Sequence, residues 1–197
     1  MINEKDLSEA FRLLHNGSLV VYPTDTLYAL GADVFNTRAV EKVFKIKKRP
    51  LSVPLPIAVS CIDMMEDVAF VNDEVRRLAS IFLPGSLTLI LKKKNSVSDI
   101  VTSNNSSVAV RIPDNDIALK LISDFGPLTV TSANVHGDKT PGIIKDIRMR
   151  FKQDDIAFYL DYGKLEGKPS TIVDLLSDKV KIVREGAISI DKIMEVI

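Results

Sequence analysis

Residues 107–132 read SVAVRIPDNDIALKLISDFGPLTVTS, and the hydrophobic pattern changes character twice within them. The opening SVAVRI is rich in β-branched residues and alternates, with Ala109 and Arg111 on one face, as a strand does. Residues 114–125 carry an amphipathic helical pattern with a capping start and a stop at Gly126. PLTVT, residues 127–131, is β-rich again. Strand, helix and strand in immediate succession predict an α/β arrangement.

The same alternation continues in both directions. Towards the N-terminus, residues 6–16 predict a helix with Leu7, Ala10, Phe11 and Leu14 on one face and Gly17 at its end. SLVVY at 18–22 predicts a strand broken by Pro23. Asn36 or Thr37 caps a second helix, in which Val40, Val43, Phe44 and Lys47 alternate with charges until Pro50. A strand at 55–59, a helix at 72–82 stopped by Pro84 and Gly85, and a strand LTLILKK at 87–93 follow. Beyond residue 132 lie a polar loop, SANVHGDKTPG, and a helix from Ile143. Strands near 156–160, 170–175 and 180–184 and a short terminal helix complete the chain. No repeat, linker or low-complexity stretch divides it. The expectation is one α/β domain over residues 1–197, with a mixed parallel and antiparallel sheet and flanking helices.

The bulk numbers agree with a globular chain. Of 197 residues, 46% are hydrophobic and 26% charged, enough to build a core without staples. The net charge is zero, whereas a domain devoted to gripping nucleic acid is usually basic. Cys61 is the one cysteine, so an internal disulfide is impossible; its apolar surroundings predict a packing role in a reducing compartment. No apolar run is long enough to span a membrane, and the polar N-terminus lacks a signal-peptide core. A cytoplasmic location is expected.

Elimination narrows the chemistry. His15 and His136 are the only histidines, and neither belongs to an HExxH or Cys/His cluster, so no metal-ligand set is assigned. No GxSxG elbow accompanies them. Residues 163–170, GKLEGKPS, resemble a phosphate loop but are one residue short between the glycines. Pro169 also removes a backbone donor where the loop needs one. No GxGxxG is present. What remains is a set of polar segments at strand and helix ends: PTDTLY (23–28), KIKKRP (45–50), VAVRIP (108–113), TSAN (131–134), STIVD (170–174) and Arg184. Each has a plain reading as a turn, a solvated helix end, an ion pair or a cap. Together they place hydroxyls and cations outside strand ends, where α/β sheets hold ligands, and suit a polyphosphate better than an acyl substrate.

Seven segments in order, YPTDTLYALGAD, KIKKRP, LPGSLTLILKK, SVAVRIPD, TSANVHGDKTP, PSTIVDLL and IVREGAI, resemble the YrdC-like threonylcarbamoyl-AMP synthase family in its short form. They cover roughly residues 18–190. The resemblance implies a twisted α/β sheet with a large, positively charged concave site. It implies an L-threonylcarbamoyladenylate synthase, a nucleotidyltransferase that condenses L-threonine, bicarbonate and ATP. The product serves threonylcarbamoyladenosine formation at position 37 of tRNAs reading ANN codons, through a partner transferase. Lys47 and Arg49 of the KxR motif would hold the phosphates as exposed cations. Ser132 and Asn134 of the SxN motif would bind nucleotide, with Ser107, Thr140 and Arg184 on the same side. Thr24, Arg111 and Ser170 would face threonine, with Thr26 and Tyr28 nearby and Arg111 gripping the carboxylate bidentately. Mg²⁺ would accompany ATP. A carbamate nucleophile is already anionic, so the lack of a histidine base is no obstacle.

The chain departs from the family pattern at Ala29, where glycine is common, and at Ser86, where proline would stiffen the turn. Ala58 replaces a frequent histidine, and residues 161–168 keep only some of the usual glycines. Two other readings stay open: an RNA-binding module, for which segment 42–49 supports weak tRNA affinity, and an inactive subunit of a tRNA-modifying assembly. A carbamoyl-adenylating relative within hydrogenase maturation is a further alternative.

Overall fold

The computed structural model describes residues 2–152, 155–177 and 180–196. Among the described residues, helices α1 (Glu4–His15), α2 (Thr37–Lys47), α3 (Ile62–Val68), α4 (Asp73–Phe82), α5 (Asp99–Thr102), α6 (Asp116–Phe125), α7 (Ile144–Arg148) and α8 (Ile190–Met194) are interspersed with ten strands. The strands are β1 (Val20–Tyr22), β2 (Ala29–Gly31), β3 (Ile57–Ala58), β4 (Leu87–Lys92), β5 (Ser107–Arg111), β6 (Leu128–Thr129), β7 (Thr131–Ser132), β8 (Phe158–Tyr159), β9 (Thr171–Asp174) and β10 (Lys181–Arg184).

Local capping explains most helix starts. Asn36, Asn72 and Asn115 each accept a backbone N–H three residues on, at the heads of α2, α4 and α6. Helix α1 begins two residues before its expected start, because Asn3 and Asp6 form a reciprocal capping box. Cys61 is not core packing. It is exposed at the head of α3, where its Sγ accepts the Met64 N–H at 3.5 Å.

The mixed sheet comes as two sheets. One has the order β7-β2-β1-β8 and the other β10-β9-β4-β5-β3-β6, and each contains parallel and antiparallel pairs. The stretch 127–131, expected as one strand, divides at Val130. β6 pairs with β3 in the larger sheet, and β7 pairs with β2 in the smaller. Thr129 makes the corner. Its carbonyl accepts the Tyr22 hydroxyl at 3.0 Å, while its Oγ1 donates to Leu30 O and accepts Ala32 N–H. Those bonds tie the end of β6 to the neighbouring sheet, so the chain crosses from one sheet to the other in a single residue. Strand β2, absent from the sequence reading, forms a hairpin on β1 in which a side chain at Gly31 would strike the Tyr22 ring at 2.8 Å.

One hydrophobic cluster joins the sheets, taking Val21 and Leu30 from the smaller and Leu87, Leu89 and Val110 from the larger. Residues 160–170 lack strand or helix structure and cross from β8 in one sheet to β9 in the other. Among the described residues no helix is long and apolar enough to cross a membrane.

Candidate active site

Lys47 ends the apolar stripe of α2, following Val40, Val43 and Phe44 at helical spacing, and that register carries it inward. The expectation of an exposed cation is therefore corrected: Lys47 is 1% exposed. Its ammonium survives burial because three oxygens receive it. It donates to Ser132 O at 2.5 Å, Asn134 O at 2.7 Å and Asn134 Oδ1 at 2.9 Å. Burial first, and the Arg49 charge second, pull its pKa down to about 7. Arg49 is half-buried rather than exposed. Past the left-handed Lys48, its guanidinium donates to Val53 O at 2.9 Å and Pro54 O at 2.7 Å, and burial lowers its pKa.

The SxN segment closes around that lysine. The Ser132 hydroxyl donates to Asn134 Oδ1 at 2.7 Å, and Asn134 Nδ2 donates to Asp138 O at 2.5 Å. The His136 N–H in turn donates to Lys47 O at 2.7 Å. The KxR and SxN segments, far apart in sequence, form one clasp. Thr140 lies on the same loop, partly exposed.

The second centre is built on Arg111, at the end of β5 and 4% exposed. Its Nη2 donates to Asp25 Oδ1 at 2.6 Å and to Gly85 O at 3.0 Å, and its Nη1 donates to Thr26 Oγ1 at 3.1 Å. Among the described residues its buried Nε has no hydrogen-bond partner. Both N–H groups of Nη2 are thus engaged, and the donors left over do not form a fork. A bidentate grip on a second carboxylate requires that Asp25 or Gly85 yield. Burial lowers the Arg111 pKa, and the Asp25 carboxylate is the main opposing influence.

Asp25, inside the PTDTLY segment, is a residue of the site to which the sequence motifs assign no role. Its Oδ2 accepts the Ser86 hydroxyl at 2.6 Å and its Oδ1 also accepts Asp114 N–H at 3.2 Å. Ser86, read as loosening a turn, instead ties that turn to the carboxylate. The signal for Asp25 was present only as an acidic residue between two threonines.

The hydroxyls around this pair face inward. Thr24 Oγ1 donates to Leu27 O at 2.6 Å and lies 3.0 Å from Thr26 Oγ1. Ser170 Oγ lies 2.8 Å from Thr88 Oγ1, and Ser170 O accepts Arg184 Nη2 at 2.8 Å. Ser170 and Arg184, assigned to opposite substrates from the sequence, are therefore in direct contact. Arg184 is also close enough to Arg111 to act on its titration.

Backbone pairing brings the two centres side by side, because Ala133 N–H donates to Tyr28 O at 2.9 Å. Tyr28 itself is buried, and burial pushes its hydroxyl up to about 12. That hydroxyl engages the backbone of residues 162 and 163. Ser107 stands at the other end of β5 from Arg111, opposite Lys92. Among the described residues no group of three or more His, Cys, Asp or Glu could hold a metal ion. The one carboxylate at the two centres, Asp25, is already engaged by Arg111 and Ser86. Two surface clefts, one beside Lys42 and Lys45 and one between α1 and α6, contain none of these residues.

Comparison with known proteins places this arrangement. The Sua5/YciO/YrdC family model, described as "Telomere recombination", matches residues 12–186. A putative threonylcarbamoyl-AMP synthase of Methanocaldococcus jannaschii is 38% identical over 197 residues, covering 98% of this chain and 93% of that protein. The threonylcarbamoyl-AMP synthase of Pyrococcus abyssi is 34% identical over 199 residues, covering 100% of this chain but 58% of the relative. The crystal structure of P. abyssi Sua5 complexed with L-threonine superposes with a TM-score of 0.95 at 34% identity, over 100% of this chain and 58% of that one. With its seven motifs spread across both cation centres and a family model matching almost end to end, the chain belongs to the Sua5/YciO/YrdC family.

Proposed function

We propose that this chain is an L-threonylcarbamoyladenylate synthase. The threonine amine adds to the carbon of bicarbonate, a C–O bond breaks and water leaves, giving threonine carbamate; a carbamate oxygen then attacks the α-phosphorus of ATP. The new O–P bond forms as the bond to the β-phosphate bridging oxygen breaks, and pyrophosphate leaves with the electron pair. The observation that carries this reading is the pair of adjoining cation centres, one clasped by amides and carbonyls and the other neutralised by Asp25. The threonylcarbamoyl-AMP synthases of M. jannaschii and P. abyssi to which the chain is similar, and the threonine complex of P. abyssi Sua5, support the same reaction.

The work required is positional and electrostatic, because the nucleophile arrives as an anion. Lys47, Arg49, Ser107, Ser132, Asn134, Thr140 and Arg184 would serve ATP. Lys47 acts chiefly by holding the Ser132–Asn134 segment, since its three donors are already engaged there. Thr24, Thr26, Arg111 and Ser170 would serve threonine, whose carboxylate would compete with Asp25 for the guanidinium. Mg²⁺ would arrive as the ATP complex. The product would pass to a transferase acting on tRNA, in the cytoplasm, and residues 1–197 would act as one domain with at most weak tRNA affinity of their own.

The test is pyrophosphate release from Mg-ATP with threonine and bicarbonate supplied together and separately. Release that needs both, with serine a poor replacement, is expected. Folded protein that releases none under any combination would overturn the reading, and salt-dependent tRNA binding without ATP would replace it with an RNA-binding module.

A further inference from the structure

The segment 161–167 is an ordered strap laid across the junction of the two centres. It leaves β8 in the smaller sheet and enters β9 in the larger at Ser170 and Thr171. Asp161 Oδ1 accepts Gly163 N–H at 3.0 Å, and Gly163 sits at φ 92, so the strap begins with a tight turn. That turn wraps the Tyr28 hydroxyl. Tyr162 N–H donates to Tyr28 Oη at 2.8 Å, and Tyr28 Oη donates to Gly163 O at 2.7 Å.

Two further contacts carry the strap over the loops of the site. Leu165 N–H donates to Gly142 O at 2.9 Å, and a Cβ on Gly142 would lie 2.3 Å from Leu165 O. A Cβ on Gly167 would lie 2.2 Å from Thr26 O and 2.6 Å from Thr26 Cα. The strap thus rests on Gly142, two residues after Thr140, and on Thr26, which touches Arg111. Both contacts are backbone on backbone and tolerate no side chain between them. Leu165 packs against the main core and anchors the middle.

A tyrosine hydroxyl has one proton to donate, and here that proton goes to a backbone carbonyl while the oxygen receives a backbone N–H. Contact with a substrate would mean releasing the strap. We propose that Tyr28 is a positioning residue, not a substrate contact: its hydroxyl clamps the strap 161–167, and the strap holds the Thr24–Thr26 loop and the loop at 140–142 in register with each other. The inference rests on the synthase reading, and it gives both substrates a shared dependence on one hydroxyl.

Tyr28→Phe keeps the buried ring and removes only the hydroxyl. Hydrogen exchange on the full chain should show the amides of 162–165 exchanging about tenfold faster, the scale of one or two lost hydrogen bonds, with those of 24–27 and 140–142 following. In the pyrophosphate assay KM for threonine and for ATP should rise together, each by about threefold to tenfold, with kcat within about twofold. Gly167→Ala, which displaces the strap from its other end, should reproduce the joint rise with Tyr28 intact. A rise in the threonine KM alone, with exchange at 161–167 unchanged, would make Tyr28 a direct threonine contact and overturn the proposal. Faster exchange in the strap with 24–27 and 140–142 unaffected would overturn it as well. Wild-type protein that releases no pyrophosphate would sink the synthase reading instead, while exchange in the two loops would still decide the role of Tyr28.

Discussion

Lys47 and Arg111 are both removed from water, but by opposite means. Around Lys47 the partners are uncharged: two main-chain carbonyls and one amide oxygen. Around Arg111 the principal partner is a carboxylate, Asp25, itself fixed by Ser86 and the Asp114 amide. A lysine can surrender its proton, and burial brings that event down to about 7. An arginine cannot, so its burial demands a permanent counter-charge. The lysine centre is therefore responsive to pH. The arginine centre is charge-balanced within the fold, and under the proposed reading a substrate carboxylate would enter it by exchange with Asp25.

Breaking the balanced centre should have the largest effect. Asp25→Ala leaves a buried guanidinium without its counter-charge and should lower stability by about 3–5 kcal/mol, measured by urea denaturation. A loss below about 1 kcal/mol would mean that solvent reaches Arg111 and that the two centres differ less than their geometry indicates.

Lys47→Met tests the other half. The variant loses the clasp on Ser132 and Asn134, and kcat/KM for ATP should fall about a hundredfold, on the scale of a removed charge-assisted donor. Its pH signature should separate it from Asp25→Ala. The folded pKa of Lys47 lies below its unfolded value, so between about 7 and about 10.4 the unfolded chain binds the extra proton. Wild-type stability from this group is complete above the unfolded pKa and is lost as pH falls through the folded one. The stability of wild type over Lys47→Met should thus grow from pH 7 towards pH 10 and be flat below pH 6. A flat difference throughout would show a lysine that stays protonated.

Ser86→Ala should be the smallest perturbation. It removes one hydrogen bond to Asp25 without touching the ion pair. A rise of about threefold in the threonine KM with the ATP KM unchanged is expected, the scale of one hydrogen bond. An equal effect on both substrates would erase the distinction between the centres.

Much of this was legible without coordinates, where the cause is local. The helices at 72–82 and 114–125 announce themselves through period, cap and stop, and Asn72 and Asn115 do cap them. The seven motifs named the family and gathered most of the polar residues of the site. Lys47 is a partial case. Its place on the stripe with Val40, Val43 and Phe44 was visible, yet the charge argued for solvent, and only the distant carbonyls of 132 and 134 made the inward position tolerable.

What the chain order determined by itself is whatever neighbours within a few residues decide: periodicity, caps, turns and the identity of the motifs. Tertiary structure alone decided the division into two sheets at Val130, the pairing of Arg111 with Asp25 86 residues away, and the seizure of the Tyr28 hydroxyl by a strap 134 residues on. The reason is that a hydrogen-bonding group carries no label for its partner. Which distant carbonyl, amide or carboxylate satisfies it is settled only when the core closes and every buried polar atom must find a neighbour.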